Sequence, residues 1–161
     1  MFQGTLREIA DAVGGTVIPA SSGGTVVHGV EFDSRRVVAH QLYVALPGAK
    51  THGHEFVAAV AQQGVAAALV EDPAVAERAG LPAVHVPNSL AALHALAAYW
   101  RLKVDVPLLA ITGSVGKTTT KELAATILGG VFGKGTYSQA SFNNQVGVPY
   151  TLLRIAPTDT W

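Results

Sequence analysis

The sequence predicts an α/β fold, on three observations. Short apolar runs of strand length alternate with stretches whose apolar residues recur at helical spacing. A run apolar on both faces, 108–111 (LLAI), leads into a glycine-containing loop and then a helix-compatible stretch, which is the order expected around a buried parallel strand. Hydrophobic residues make up 49% of the 161 and charged residues only 14%, so both faces of a sheet can be covered.

Each element has a local reason. Thr5 and Glu8 have the spacing of a capping box, and Leu6, Ile9, Ala10 and Val13 share one face of the helix that follows, which Gly14 and Gly15 stop. Val17 and Ile18 suggest a short strand, and 21–24 (SSGG) a loop. A second strand is expected over 26–32 (VVHGVEF), ending at Asp33-Ser34-Arg35-Arg36, and a third over 42–46 (LYVAL), ended by Pro47-Gly48. A polar loop over 49–54, a helix over 56–63 and strands over 66–70 and 83–86 follow. Asn88 caps a long helix reaching about Lys103 on Leu90, Leu93, Leu96 and Ala97. The register restarts at Val104, so two modules are expected, 1–103 and 104–161, the second opening with the strand at 108–111 and a helix over 121–128.

Composition removes several function classes. Eleven basic and eleven acidic residues give no net charge, so coating nucleic acid or anionic lipid is not expected. Without cysteine there is no disulfide, thiolate nucleophile or thiolate zinc site, which fits a reducing compartment. The first ten residues lack the pattern of a secretory signal and no run is long enough to span a membrane, so a cytoplasmic protein without membrane insertion is expected.

Thr112-Gly113-Ser114-Val115-Gly116-Lys117-Thr118-Thr119 carries the clearest chemistry. Glycines at 113 and 116 allow backbone N–H groups to turn inward around an anion, and a helix N-terminus adds a positive dipole end. Lys117 supplies a point charge for the β- and γ-phosphates of ATP and the Thr118 hydroxyl a ligand for Mg²⁺, which makes both the expected catalytic groups of the loop. The usual nucleotide-binding pattern places a glycine five residues before Gly116, where this chain has Ile111. An unrelated phosphate-loop kinase or NTPase would need an acidic metal-holding strand after Lys117, and none is visible.

The run 110–118 (AITGSVGKT) resembles the variant phosphate loop of the Mur ligases, the ATP-dependent amide-forming enzymes of peptidoglycan synthesis. Two further stretches match in order: Asp33-Ser34-Arg35 with 41–48 (QLYVALPG) and 53–56 (GHEF), and then 142–153 (FNNQVGVPYTLL). The last stretch is most similar to the member that adds the terminal dipeptide; the member adding the third peptide residue shares the N-terminal pattern and is the alternative, with a non-catalytic nucleotide-sugar or phosphate-binding module as the other. The resemblance implies a small N-terminal α/β nucleotide-sugar-binding domain followed by the beginning of an ATP-binding α/β domain. It also implies ATP bound by Gly113, Ser114, Val115, Gly116, Lys117, Thr118 and Thr119, and Mg²⁺ held at Thr118. UDP-N-acetylmuramoyl-tripeptide would be bound by Ser34, Arg35, Gly48, Lys50, His54, Ser138, Asn143 and Asn144, with D-alanyl-D-alanine as the second substrate.

The chain departs from the family at His52, where an aspartate is usual, and at Ser141, where asparagine is common. The family's metal-binding glutamate, modified lysine and amine-substrate site would lie beyond Trp161, so the chain alone is expected to make no product. His52 and His54 as a metal pair, and Asn144 as a mere helix cap, stand beside the ligand readings. Tyr99, Trp100, His28 and His94 are expected to be packing residues.

Overall fold

The computed structural model describes residues 1–48, 51–139 and 142–161. Strands β1 (Gln3–Thr5) and β3 (Val26–His28) form an antiparallel pair, with Gly4 opposite Val27. The main sheet has the order β2-β7-β6-β5-β4, from β2 (Thr16–Ile18), β4 (Val30–Glu31), β5 (Leu42–Val44), β6 (Ala67–Val70) and β7 (Ala83–His85). Four neighbours run parallel, and β2 closes one edge antiparallel to β7.

The two-residue period of a strand divides this sheet between two cores. Leu42, Val44, Ala67, Leu69 and Val84 face α1 (Leu6–Val13), α4 (Ser89–Lys103) and α6 (Gly147–Arg154). Tyr43, Ala68, Val70 and Ala83 face α2 (Val57–Gln62) and α3 (Pro73–Ala79). Helix α1 has the expected capping box, with the Thr5 hydroxyl oxygen accepting from Glu8 N–H and the Glu8 carboxyl accepting from Thr5 N–H, and it ends at a left-handed Gly14.

Helix α6 packs along α4 although more than forty residues separate them in sequence. Trp100 Nε1–H donates to Ile155 C=O at 2.9 Å and Phe2 N–H to Leu153 C=O at 2.7 Å, while the Phe2 and Trp100 rings meet edge to face. Val104, Val106, Leu153 and Ile155 are buried in the same core as α1 and α4.

Several expectations need correction. The strand over 26–32 is two strands: Gly29, at φ 88°, turns the chain between them, so β3 pairs with β1 and β4 with β5. The loop over 21–24 is part of a 3₁₀ turn, Ala20–Gly24. Helix α2 is preceded by another 3₁₀ turn, Gly53–Phe56. Helix α3 was not anticipated, although Asp72 caps it, Pro73 opens it and a left-handed Gly80 ends it. Residues 108–111 form no strand among the described residues, because no neighbouring strand offers them a hydrogen-bond ladder, and Leu108 and Leu109 are more than half exposed. The helix expected over 121–128 is α5, Lys117–Phe132, which starts at the loop lysine and continues through Gly129 and Gly130.

Candidate functional site

The carboxyl ends of the parallel strands β4 and β5 open onto a cleft of about 610 Å³, the position where α/β sheets commonly bind ligands. Phe32, Asp33, Ser34 and Arg35 come from the end of β4, and Tyr43, Leu46, Pro47 and Gly48 from β5 and its exit. Thr51, Gly53 and Phe56 form a third side. Phe142, Asn144 and Val146, from the approach to α6, complete it. The structure therefore brings Ser34, Arg35, Gly48 and Asn144 around one space.

The corner is held by charge. Asp33 accepts from Arg35 Nε–H at 2.8 Å and from a terminal Arg35 nitrogen at 2.7 Å, and this guanidinium pulls the Asp33 carboxyl down to about 2. The Arg35 side chain is otherwise exposed, so its remaining donors face solvent. Tyr43, absent from the sequence expectations as a site residue, is buried and donates its O–H to Gly53 C=O at 3.1 Å. Burial, with the nearby Asp33, pushes its phenol up to about 12, so it stays a neutral donor.

Other expected ligand residues lie elsewhere. Lys50 falls outside the described residues, as does Ser141. His54 does not line the cleft: its Nε2 accepts from Glu71 N–H at 3.0 Å, and burial, with His52 beside it, lowers its pKa. The His52 and His54 ring centroids lie 4.1 Å apart with the rings tilted, but no group of three or more His, Asp or Glu able to hold a metal occurs among the described residues. Ser138 and Asn143 line a second hollow of about 620 Å³ between residues 106–111, α5 and α6. His94, expected in packing, is exposed and bonds through Nε2 to Gln145 C=O at 2.6 Å. Asn144 does act as a cap: its Oδ1 accepts from Val146 and Gly147 N–H, at 3.1 and 2.7 Å.

The phosphate loop has the backbone its glycines allow. Gly113 sits at φ 144° and Gly116 at φ 83°, conformations that a side chain disfavours, and α5 begins at the next residue. No side chain caps α5, so the amides of its first turn stay open to an anion. Lys117 Nζ donates to Gly113 C=O and, at 3.5 Å, to Ser114 C=O, folding over the loop it would share with a phosphate. Ser114, Val115, Thr118 and Thr119 are exposed around it. The donor set fits a nucleotide triphosphate, with amides and an ammonium for the phosphates and the Thr118 hydroxyl for a hard cation.

Comparison with known proteins finds family matches over most of the chain. The model described as "Mur ligase family, catalytic domain" matches residues 26–101 and the "Mur ligase middle domain" matches 111–160. The chain belongs to the Mur ligase family. The UDP-N-acetylmuramoyl-tripeptide–D-alanyl-D-alanine ligase of Bacillus subtilis is 34% identical over 95% of this chain and 33% of its own length. The UDP-N-acetylmuramoyl-L-alanyl-D-glutamate–2,6-diaminopimelate ligase of Streptomyces coelicolor is 45% identical over 73% of this chain and 24% of its own length. Among solved structures, MurF from Acinetobacter baumannii superimposes with a TM-score of 0.88 at 30% identity, covering 99% of this chain and 35% of that one. MurF ligase from Thermotoga maritima in complex with ADP gives 0.66 at 25% identity over 79% and 29%. The chain thus spans about a third of the length of the relatives it matches.

Proposed function

We propose that this chain is the substrate-nucleotide and phosphate-loop portion of a ligase that joins D-alanyl-D-alanine to UDP-N-acetylmuramoyl-tripeptide. The observation that carries the reading is the cleft, where the Asp33-Ser34-Arg35 corner, Gly48 and Asn144 converge at the ends of two parallel strands. In this reading residues 1–103 bind the uridine nucleotide and 104–161 begin the ATP-binding domain. Ser34 and Arg35 give donors to the diphosphate, while Phe32, Tyr43, Leu46 and Phe56 offer an apolar bed for the rest of the ligand. Lys50 and His54 are proposed as further substrate contacts, as are Ser138 and Asn143 in the second hollow.

The chemistry is carboxylate activation. A substrate carboxylate oxygen attacks the γ-phosphorus of ATP, ADP leaves, and the amine of the dipeptide then displaces phosphate from the acyl carbon. Two anions must approach, so the loop amides and Lys117 offset their repulsion; the Thr118 hydroxyl would hold Mg²⁺, which would supply further charge neutralisation there. The groups for amine binding are proposed to belong to the part of such ligases that this chain does not span. Such an enzyme works on soluble nucleotide substrates in the cytoplasm.

Calorimetry of this chain with UDP-N-acetylmuramoyl-tripeptide tests the reading. Binding is expected, and Ser34→Ala should weaken it by about tenfold, the loss of one hydrogen bond to a charged group. Unchanged affinity removes Ser34 from the site. Lys117→Ala should leave that binding intact while abolishing measurable ATP binding.

The diaminopimelate-adding activity is the second reading, favoured by the 45% identity to the Streptomyces coelicolor ligase over the shorter stretch. Binding of UDP-N-acetylmuramoyl-dipeptide in preference to the tripeptide would select it.

A further inference from the structure

Glu31, the last residue of β4, is only 3% exposed. A buried carboxyl group is costly unless its oxygens are occupied. Here they are. Oε1 accepts from Phe32 N–H at 2.9 Å and Asp33 N–H at 3.1 Å, and Oε2 accepts from the Tyr150 hydroxyl at 2.9 Å, with Arg36 Nε at 3.9 Å from the same oxygen.

These partners belong to opposite sides of the cleft. The two amides lead directly into the Asp33-Ser34-Arg35 corner. Tyr150 lies on α6, and its ring stands edge-on to Phe32 at 5.1 Å and packs against Phe142 at 6.0 Å. Phe32 lines one wall of the cleft and Phe142 the other, while Glu31 and Tyr150 do not line it at all. A single carboxyl group therefore holds both the backbone that presents Ser34 and the helix that carries the facing wall.

We infer that Glu31 and Tyr150 are a positioning pair, which sets the spacing between the Ser34–Arg35 corner and the Phe142–Asn144 wall and so tunes affinity for the uridine nucleotide without touching it. The inference rests on the cleft being the nucleotide site. Burial, reinforced by the Glu31 hydrogen bond, raises the Tyr150 pKa and keeps its proton available for donation. Loosening such a support shifts contacts it never makes itself, and small misplacements of binding groups carry large penalties.

The test uses this chain and UDP-N-acetylmuramoyl-tripeptide in calorimetry, with melting curves to establish that each variant is folded. Tyr150→Phe removes one hydroxyl, and Glu31→Gln keeps the shape while replacing an acceptor by a donor. Each is expected to weaken binding by about tenfold, and the double variant by no more than the worse single one, because the two act as a unit. Ser34→Ala should cost less in the Tyr150→Phe background than in the wild type, a coupling that a purely structural role would not produce. If Glu31→Gln does not fold, Tyr150→Phe with Ser34→Ala carries the test. Wild-type affinity in folded Tyr150→Phe, or additive effects with Ser34→Ala, overturns the positioning pair while the cleft stands. Failure of the wild type to bind the nucleotide overturns the cleft and the pair together.

Discussion

Helices α4 and α5 are nearly equal in length, 15 and 16 residues, and equally hydrophobic on average, yet they live in different surroundings. Six residues of α4 are buried, among them Leu93, Leu96 and Trp100, and α6 packs along it. No residue of α5 is buried, and Leu123, Ile127 and Val131 are all more than half exposed. Composition alone does not decide burial. Helix α4 has a sheet face and a second helix to press against, whereas α5 has only the partly open hollow beside residues 106–111. The phosphate loop at its head nevertheless keeps its turn, because two glycine conformations and a helix start are local properties that need no sheet.

Core truncation is the sharpest way to break the comparison. Leu93→Ala, at a fully buried position, should cost about 3–4 kcal/mol in urea unfolding, whereas Leu123→Ala, at 59% exposure, should cost less than about 0.5 kcal/mol. Equal effects would mean that α5 is as well packed as α4. A smaller change tests the junction between the two regions. Asn144→Ala removes the side chain that accepts from Val146 and Gly147 N–H, and should lower stability by about 1 kcal/mol. Replacement by Asp, which keeps the acceptor, should restore most of it.

The smallest effect concerns acid. Asp33 titrates near 2 in the fold, against an ordinary 3.8, so the unfolded chain takes up its proton first. Its contribution is complete above about pH 4 and is lost as pH falls toward 2. The pair is largely exposed, so the slope should be slight and should disappear in Asp33→Asn, as followed by thermal melts between pH 2 and 5.

Much of this was legible in the sequence, and the exceptions have physical causes. The capping box at Thr5, the Asn88 cap and the glycine stop at Gly14 are local rules, and each operates as expected. Helix α3 could have been found the same way from Asp72, Pro73 and Gly80, but its seven residues carry too few apolar positions to display a period. The stretch 26–32 reads as one continuous strand, but Gly29 divides it between two sheets, a choice made by partners distant in sequence. Ser34, Arg35 and Gly48 stood out through their motif, and the structure gathers them. Glu31 and Tyr150 did not, since a pairing across more than a hundred residues leaves no spacing to read. Tyr43 was hidden inside an apolar run, where alternation alone turns it away from Leu42 and Val44 and toward the cleft.

The bond from Phe2 N–H to Leu153 C=O has a consequence for the order of assembly. During translation, at about 5–20 residues per second, the start of the chain waits roughly ten to thirty seconds before α6 leaves the ribosome. Until then Phe2 and Trp100 can meet, but the far side of α4 stays uncovered, and Glu31 lacks the phenol that fills its second oxygen. The nascent amino-terminal unit is thus a half-finished surface, and the arrival of α6 completes it.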